Sequence, residues 1–524
     1  MITDEELAER IEAISKSSLP IVLYFSKQQD KIQNKTLEKI TMIVKNATKM
    51  QLQFHHPRTL MTCLLRILLY YENVFHTNRF CDLWKRRRKF RIAQDCYHAL
   101  LKNYLPEKSR DIVETIMETI YHEQLWRFET FCFEVTYSLL DINPAIAGLI
   151  VHSIWNKLTL PEISVEDAHG IIKILCELLN MYEWPPTQDT VAIIERMVAL
   201  FRASIIARLT TTSLSSSSSL EPSLPSSLSA LASIKKGLEV CIRNIIRHIP
   251  NDQMLVIIQH MCSWTIAADM TDEFVLEFGS LLEFAAYIHQ ADLYEQTLTP
   301  TIFPLLMQMM GSSSWLISLL GNRVLQWLID RQDNRAVFDT PKIFFEHTHF
   351  DVRIVQCRKE DRSFFKFHRE LLHDSLLKSL INHSESRMNI EVTYCTICLI
   401  AVEVPCGFTA AALICLMMNL QEIILQQQDN RVEVVCHIHA MIISIMSFIC
   451  WIHKAKVFYS YLNRIVMERA HWAPHLNPPL QSQYNFALHH VLWNKPELFF
   501  VDWEVRYGLW KCFRLTDIHP TVSH

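Results

Sequence analysis

The chain has 524 residues, too many for one compact core, and its net charge of −4 gives it no overall attraction to nucleic acid. Only 8 glycines occur, which excludes folds that need many tight turns between strands, because such turns require residues tolerant of positive φ. With 50% hydrophobic residues to bury, the composition predicts an all-α protein.

The N-terminal stretch MITDEELAERIEAI opens like a helix. Thr3 and Glu6 have capping-box spacing, and Leu7, Ile11 and Ile14 share one face. The stretch is acidic and lacks the basic start and apolar core of a secretory signal; neither a myristoylation glycine nor a prenylation box is present. Amphipathic helices follow at 60–71, 110–121, 126–140, 145–157, 168–181 and 190–208, with breaks expected near Pro57, Pro106, Pro144, Pro161 and Pro185–Pro186. That rhythm predicts an α-solenoid rod of stacked helix pairs, HEAT- or armadillo-like.

Residues 209–233, rich in Ser, Thr and Pro, read as a disordered insertion between N-terminal repeats (1–208) and C-terminal repeats (234–472). Around 340–365 the pattern breaks, with Pro341 and a short extended stretch expected at 351–357. Helices resume to 467, and 473–524 reads as a Pro- and aromatic-rich tail. Two apolar segments test the membrane criterion. Residues 395–420 are interrupted by Glu403 and by Pro405–Gly407, and 440–452 are short of the roughly 20 residues a span needs. Both read as buried helices.

The residues offer little chemistry. Gly311-Ser-Ser-Ser-Trp315 lacks the second glycine of a nucleophile elbow, and no phosphate-cradling glycine loop or H-E-x-x-H occurs. The expectation is a protein without catalytic activity, cofactor or small-molecule substrate. Cys395, Cys398, Cys436, His437 and His439 could in type hold zinc. Their apolar helical setting favours core packing instead. His347 and His349 fall in an expected loop and read as exposed. Fifteen cysteines, an odd number, include Cys176 and Cys241 within apolar helical runs. They read as buried free thiols of a reducing compartment.

The sharpest charge feature is Trp84, Lys85, Arg86, Arg87, Arg88, Lys89 and Phe90, with Arg79 and Arg91 beside it. Such a run suits acidic membrane lipids, each cation adding about 1 kcal/mol, with aromatics at headgroup depth. A solvated turn between helices, a nuclear-import signal and a nucleic-acid contact are the competing readings. Membrane contact by Trp84, Lys85, Arg86, Arg87, Arg88, Lys89 and Arg91 is the site assigned; no nucleic-acid partner is expected. A second cluster, DRQDNR, ends an apolar helix and reads as a structural corner in which Asp330 and Asp333 meet Arg331 and Arg335.

The corner also carries a resemblance. LIDRQDNRAVF (328–338) resembles the leucine–x–aspartate–arginine–x–aspartate–asparagine–arginine–alanine stretch of the rolling blackout (stambha A) family. CRKEDRSF (357–364), YCTICLIAVE (394–403) and the helix ending at Gln421 resemble its following segments, and the likeness spans 235–480. It implies a HEAT/armadillo-like rod on the cytoplasmic face of the plasma membrane. Such a rod would recruit a type III phosphatidylinositol 4-kinase complex through a tetratricopeptide-repeat scaffold subunit. The resemblance also implies an N-terminal cysteine cluster for palmitoylation and a long C-terminal region. Here the first cysteine is Cys63 and the C-terminal region is short, as expected of a divergent or incomplete member. The alternatives are a soluble, cytosolic adaptor with a nuclear-import patch, and an integral membrane protein using 395–420 and 440–452.

Overall fold

The computed structural model describes residues 3–20, 26–77, 83–158, 160, 163–181, 187–217, 226–267, 271–354, 356, 358–427, 431–481, 484 and 495–514. Among these the regular structure is helical and no strand occurs, as the scarcity of glycine predicted. The chain forms two compact units, Met1–Pro250 and Asn251–His524.

The first unit holds α1 (Asp4–Ser17), α2 (Lys27–Asn46), α3 (Lys49–Phe54), α4 (Arg58–Thr77), α5 (Leu83–His122), α6 (Glu129–Ile142), α7 (Ala147–Leu158), α8 (Val165–Met181), α9 (Gln188–Ser217) and α10 (Ser226–His248). Caps set several starts. The Thr3 hydroxyl accepts from the Glu6 amide, and Leu7 and Ile14 are buried below it. Only half of the expected capping box forms there, because the Glu6 carboxylate pairs with Arg10 at 2.6 Å. The full box occurs at Thr48 and Gln51 instead.

Near Pro106 the expected break takes the form of a kink. α5 continues through it with one non-helical residue, Lys108 at φ −113° and ψ 34°. A proline removes one backbone donor and kinks the helix. Pro161, Pro185 and Pro186 lie outside the described residues. The close packing of α8 depends on Gly170, where a Cβ would lie 2.5 Å from the Trp126 carbonyl oxygen.

The serine-rich insertion differs from expectation. α9 runs on to Ser217 and α10 starts at Ser226, leaving 218–225 outside the described residues. Within the tract's N-terminal end the Thr210 and Thr211 hydroxyls donate to the carbonyls of Ile206 and Arg208, which keeps them compatible with a helix. At its other end Ala230 and Ile234 are buried. α10 packs on α8 and α9, so the division into units falls at Pro250, not at the tract.

The second unit holds α11 (Asn251–Thr265), α12 (Asp272–Ile288), α13 (Tyr294–Thr297), α14 (Ile302–Met310), α15 (Trp315–Ile329), α16 (Lys359–Phe367), α17 (Arg369–Asn382), α18 (Arg387–Glu403), α19 (Gly407–Gln426), α20 (Val432–His453), α21 (Lys456–Trp472) and α22 (Asp502–Arg514). The apolar stretch 395–420 is split between α18 and α19 at the expected break. α19 and α20 are each long and apolar enough to cross a membrane by length and composition. α20 is longer than its uncharged stretch suggested, but 78% of its most apolar window is buried in the protein. Its hydroxyls also serve a neighbouring segment of irregular chain. Ser444 accepts from the Lys342 amide and donates to the Lys342 carbonyl, and Ser447 accepts from the Phe344 amide. Phe338 and Phe344 pack on Phe448 at 4.8 and 4.6 Å between ring centres. α20 is therefore a core helix. The described part of the expected extended stretch, 351–354 and 356, is irregular and forms no strand.

The tail folds back into this core. Leu476, Leu498, Phe499 and Phe500 are buried, and the Gln421 amide exchanges two hydrogen bonds with the Phe500 backbone.

Candidate functional site

The DRQDNR corner is a corner, but its partners are not the expected ones. Asp330 does not meet Arg331. Its two carboxylate oxygens accept from the backbone amides of Asn334 and Arg335 at 2.9 and 2.8 Å, turning the chain out of α15. Asp333 sustains the turn at φ 55°, a left-handed value that aspartate tolerates better than most non-glycine residues. The Asn334 side chain clamps the Arg353 backbone with two 2.8 Å hydrogen bonds. Arg335 lies over the Trp327 ring, 4.0 Å from its centre.

Arg331 turns inward. Its guanidinium meets Asp361 at 2.7 Å and Glu403 at 3.0 Å, and donates to the carbonyls of Asp292 and Glu403. It also covers the Tyr294 ring at 4.1 Å. The Tyr294 hydroxyl is directed at Glu403 Oε2 (3.0 Å) and the Ile329 carbonyl (2.9 Å), while the Tyr294 amide donates to Asp361. The Asp361 and Glu403 side chains are 1% exposed and Arg331 is 9% exposed. Burial pushes the Glu403 carboxyl above its ordinary value, while Arg331 and the Tyr294 hydroxyl pull it back down. Burial, then the Glu403 charge, push the Tyr294 phenol well up, so it remains a donor. The three resembling segments, 328–338, 357–364 and 394–403, thus meet physically through one residue each. One guanidinium bridges both carboxylates and each carboxylate also accepts from Tyr294, which makes the cluster a device for fixing elements in place.

Beside the corner lies an open groove of about 490 Å³ lined by Tyr287, Trp327, Asp333, Arg335, Met388 and Glu391, among others. Tyr287 and Met388 are exposed there, and Tyr287 meets Trp327 edge-on at 4.8 Å.

The basic run occupies the first turns of α5 and is helical, not a turn between helices. The side chains of Trp84, Lys85 and Arg86 lie outside the described residues, as does Arg79. Arg87, Arg88 and Arg91 are exposed and share one face by their three- and four-residue spacing. Asp95 is exposed one turn further along that face. Lys89 is withdrawn from the run: its ammonium lies 3.3 Å from Asp30 and 5.9 Å from the centre of the Tyr71 ring. No acidic residue occupies this first turn. Cations are disfavoured at a helix N-terminus by the helix dipole, so the end of α5 concentrates positive potential.

The cysteine and histidine candidates separate. Cys395 and Cys398 are buried in α18, and Cys436 packs with the tail residues Leu476, Leu498 and Phe499. His437 Nε2 lies 3.0 Å from the Gln481 carbonyl, whereas His439 is fully buried. Among the described residues no group of three or more His, Cys, Asp or Glu is arranged to hold a metal. His347 and His349 are exposed.

Asp361, Glu403 and Tyr294 were not singled out from sequence. The available signals were that each carboxylate lies within a segment carrying the family resemblance and that Glu403 is a charge inside an apolar run.

A family model described as EFR3, armadillo repeat, matches residues 76–489, reaching well upstream of the likeness read at 235–480. Protein EFR3 homolog A of Xenopus laevis is 21% identical over 412 residues, covering 72% of this chain and 48% of that protein. Protein EFR3 homolog B of Homo sapiens is 22% identical over 163 residues, covering 31% of this chain and 20% of that protein. The chain thus spans at most about half the length of these relatives. With the helical repeats in place and the family model matching most of the sequence, the chain belongs to the EFR3 armadillo-repeat family.

Proposed function

We propose that this chain is a non-catalytic peripheral scaffold of the cytoplasmic face of the plasma membrane, recruiting a phosphatidylinositol 4-kinase complex through a tetratricopeptide-repeat scaffold subunit. Family membership supports the scaffold role. The observation that carries the membrane reading is the exposed face of Arg87, Arg88 and Arg91 at a helix end without acidic residues. Those cations meet acidic lipid headgroups, and Trp84, Lys85 and Arg86 extend the same run. Lys89 contributes less, because Asp30 already neutralises it.

Reversing Arg87, Arg88 and Arg91 to Glu should weaken binding to phosphatidylserine-containing vesicles by about a hundredfold or more, since each cation contributes about 1 kcal/mol at an acidic surface. Flotation at rising salt checks this, because the wild-type signal should fade with ionic strength. Unchanged flotation of the triple variant would remove the patch from the membrane reading.

Recruitment is tested by affinity capture of the tagged full-length chain from its own cells at low salt. Recovery of a phosphatidylinositol 4-kinase with its tetratricopeptide subunit is expected. Importins or chromatin proteins in their place would transfer the basic run to nuclear import.

A further inference from the structure

In the first unit α8 and α10 pack side by side. Gly237 allows their close approach: a Cβ there would lie 2.3 Å from Ile172 Cγ2. One turn further along each helix stand Cys176 on α8 and Cys241 on α10, facing each other across the same contact. The amide of Asn244, on the next turn of α10, donates to Cys176 Sγ at 3.3 Å, and Cys241 Sγ lies 4.0 Å from the Ile172 carbonyl. Cys176 is partly open to solvent, while Cys241 is buried behind it.

We propose that Cys176 and Cys241 form an oxidant-responsive pair, in which Cys176 reacts with a hydroperoxide and Cys241 then closes a disulfide that staples α8 to α10. In the first step the Cys176 thiolate attacks the terminal peroxide oxygen and the O–O bond breaks. The leaving hydroxide or alkoxide takes up a proton, and Cys176 becomes a sulfenic acid. In the second the Cys241 sulfur gives up its proton and attacks the sulfenic sulfur; the S–O bond breaks and water departs. Two thiols lose two electrons in total, and one hydroperoxide is reduced.

The environment divides the roles. The Cys241 thiol, aided by the Asn244 amide, holds Cys176 below its ordinary value against burial and the neighbouring Glu177 carboxylate. The Cys176 partner and burial push Cys241 well up. The thiolate therefore resides on the outer sulfur, where an oxidant can reach it. The closed pair would tie together the ends of the chain that runs through α9 and the serine-rich tract, holding the α8–α9–α10 layer shut.

The test treats the reduced full-length chain with hydrogen peroxide, blocks remaining thiols, and digests it without reductant for mass spectrometry. A Cys176–Cys241 linked peptide should dominate and disappear with dithiothreitol. In Cys241→Ser, Cys176 should persist as a dimedone-reactive sulfenic acid; in Cys176→Ser, Cys241 should stay reduced. Before oxidation, Cys176 should alkylate at pH 7 roughly tenfold faster than an unperturbed thiol of equal exposure. Oxidation falling on the exposed Cys415 while Cys176 and Cys241 are recovered as alkylated thiols would overturn the proposal. So would linkage only between molecules.

Discussion

Arg331→Ala should destabilise the second unit by about 3–5 kcal/mol, the usual cost of removing one partner from a buried ion pair. The argument rests on what is left behind. Asp361 and Glu403 keep their positions at 1% exposure with no cation within reach of both, and the Tyr294 ring loses its covering guanidinium. Lysine should restore only part of the loss, because one ammonium cannot reproduce the guanidinium's geometry toward two carboxylates and two carbonyls. The deficit should shrink as pH falls into the carboxylate range. Burial already favours the neutral form of Glu403, and without Arg331 protonation removes the uncompensated charge. Urea denaturation of the full chain at neutral and mildly acidic pH, with limited proteolysis to locate the loosened unit, measures both effects. A loss below about 1 kcal/mol would place the ion cluster among weak surface pairs.

The second large effect is expected at Arg469. This residue on α21 is 0% exposed and faces no carboxylate in its hydrogen bonding. Its guanidinium donates instead to three backbone carbonyls, Leu498 at 2.7 Å, Leu476 at 2.9 Å and His439 at 3.0 Å. Burial pushes it down to about 9, so it is charged at neutral pH. Burial and Arg469 hold the adjacent His439 well below its ordinary value, which keeps a second cation out of the same space. Two opposing effects decide the outcome of Arg469→Met. Removing the charge relieves its desolvation cost, yet three buried carbonyls lose their donor at about 1–3 kcal/mol each. The second effect should win, for a net loss of roughly 2–4 kcal/mol. It should appear first as faster hydrogen exchange around Leu476 and Leu498, because Arg469 connects both tail segments to α20. Uniform exchange with an intact tail would show that the apolar contacts of Leu476, Leu498 and Phe499 suffice without it.

These two arginines mark the limit of the sequence reading. Nothing local distinguishes Arg331 from Arg335, four residues on in the same turn, yet one is buried between carboxylates and the other lies over Trp327. The partners of Arg331 stand in α16 and α18. Arg469 lies just past the helical pattern read to 467, and 473–524 read only as a Pro- and aromatic-rich tail. Only the carbonyls of Leu476 and Leu498, once folded back, make Arg469 a core residue. In the basic run, Lys89 read like its neighbours until Asp30 on α2 claimed it. Cys176 and Cys241 both read as buried free thiols; Cys241 is buried, Cys176 only half so, and nothing in the sequence marked them as neighbours.

What the sequence determined by itself is therefore whatever depends on residues within one or two turns. The all-α class followed from scarce glycine and helical periodicity, the Thr3 cap from spacing, the split of 395–420 from Pro405–Gly407, and the corner from DRQDNR. Local backbone preferences and short-range hydrogen bonds suffice for each of these. The tertiary structure alone decided which cations were neutralised and that the tail folds into the core of the second unit. In each case the deciding energy is burial or ion pairing between elements distant in sequence, and such contacts exist only when the helices are stacked.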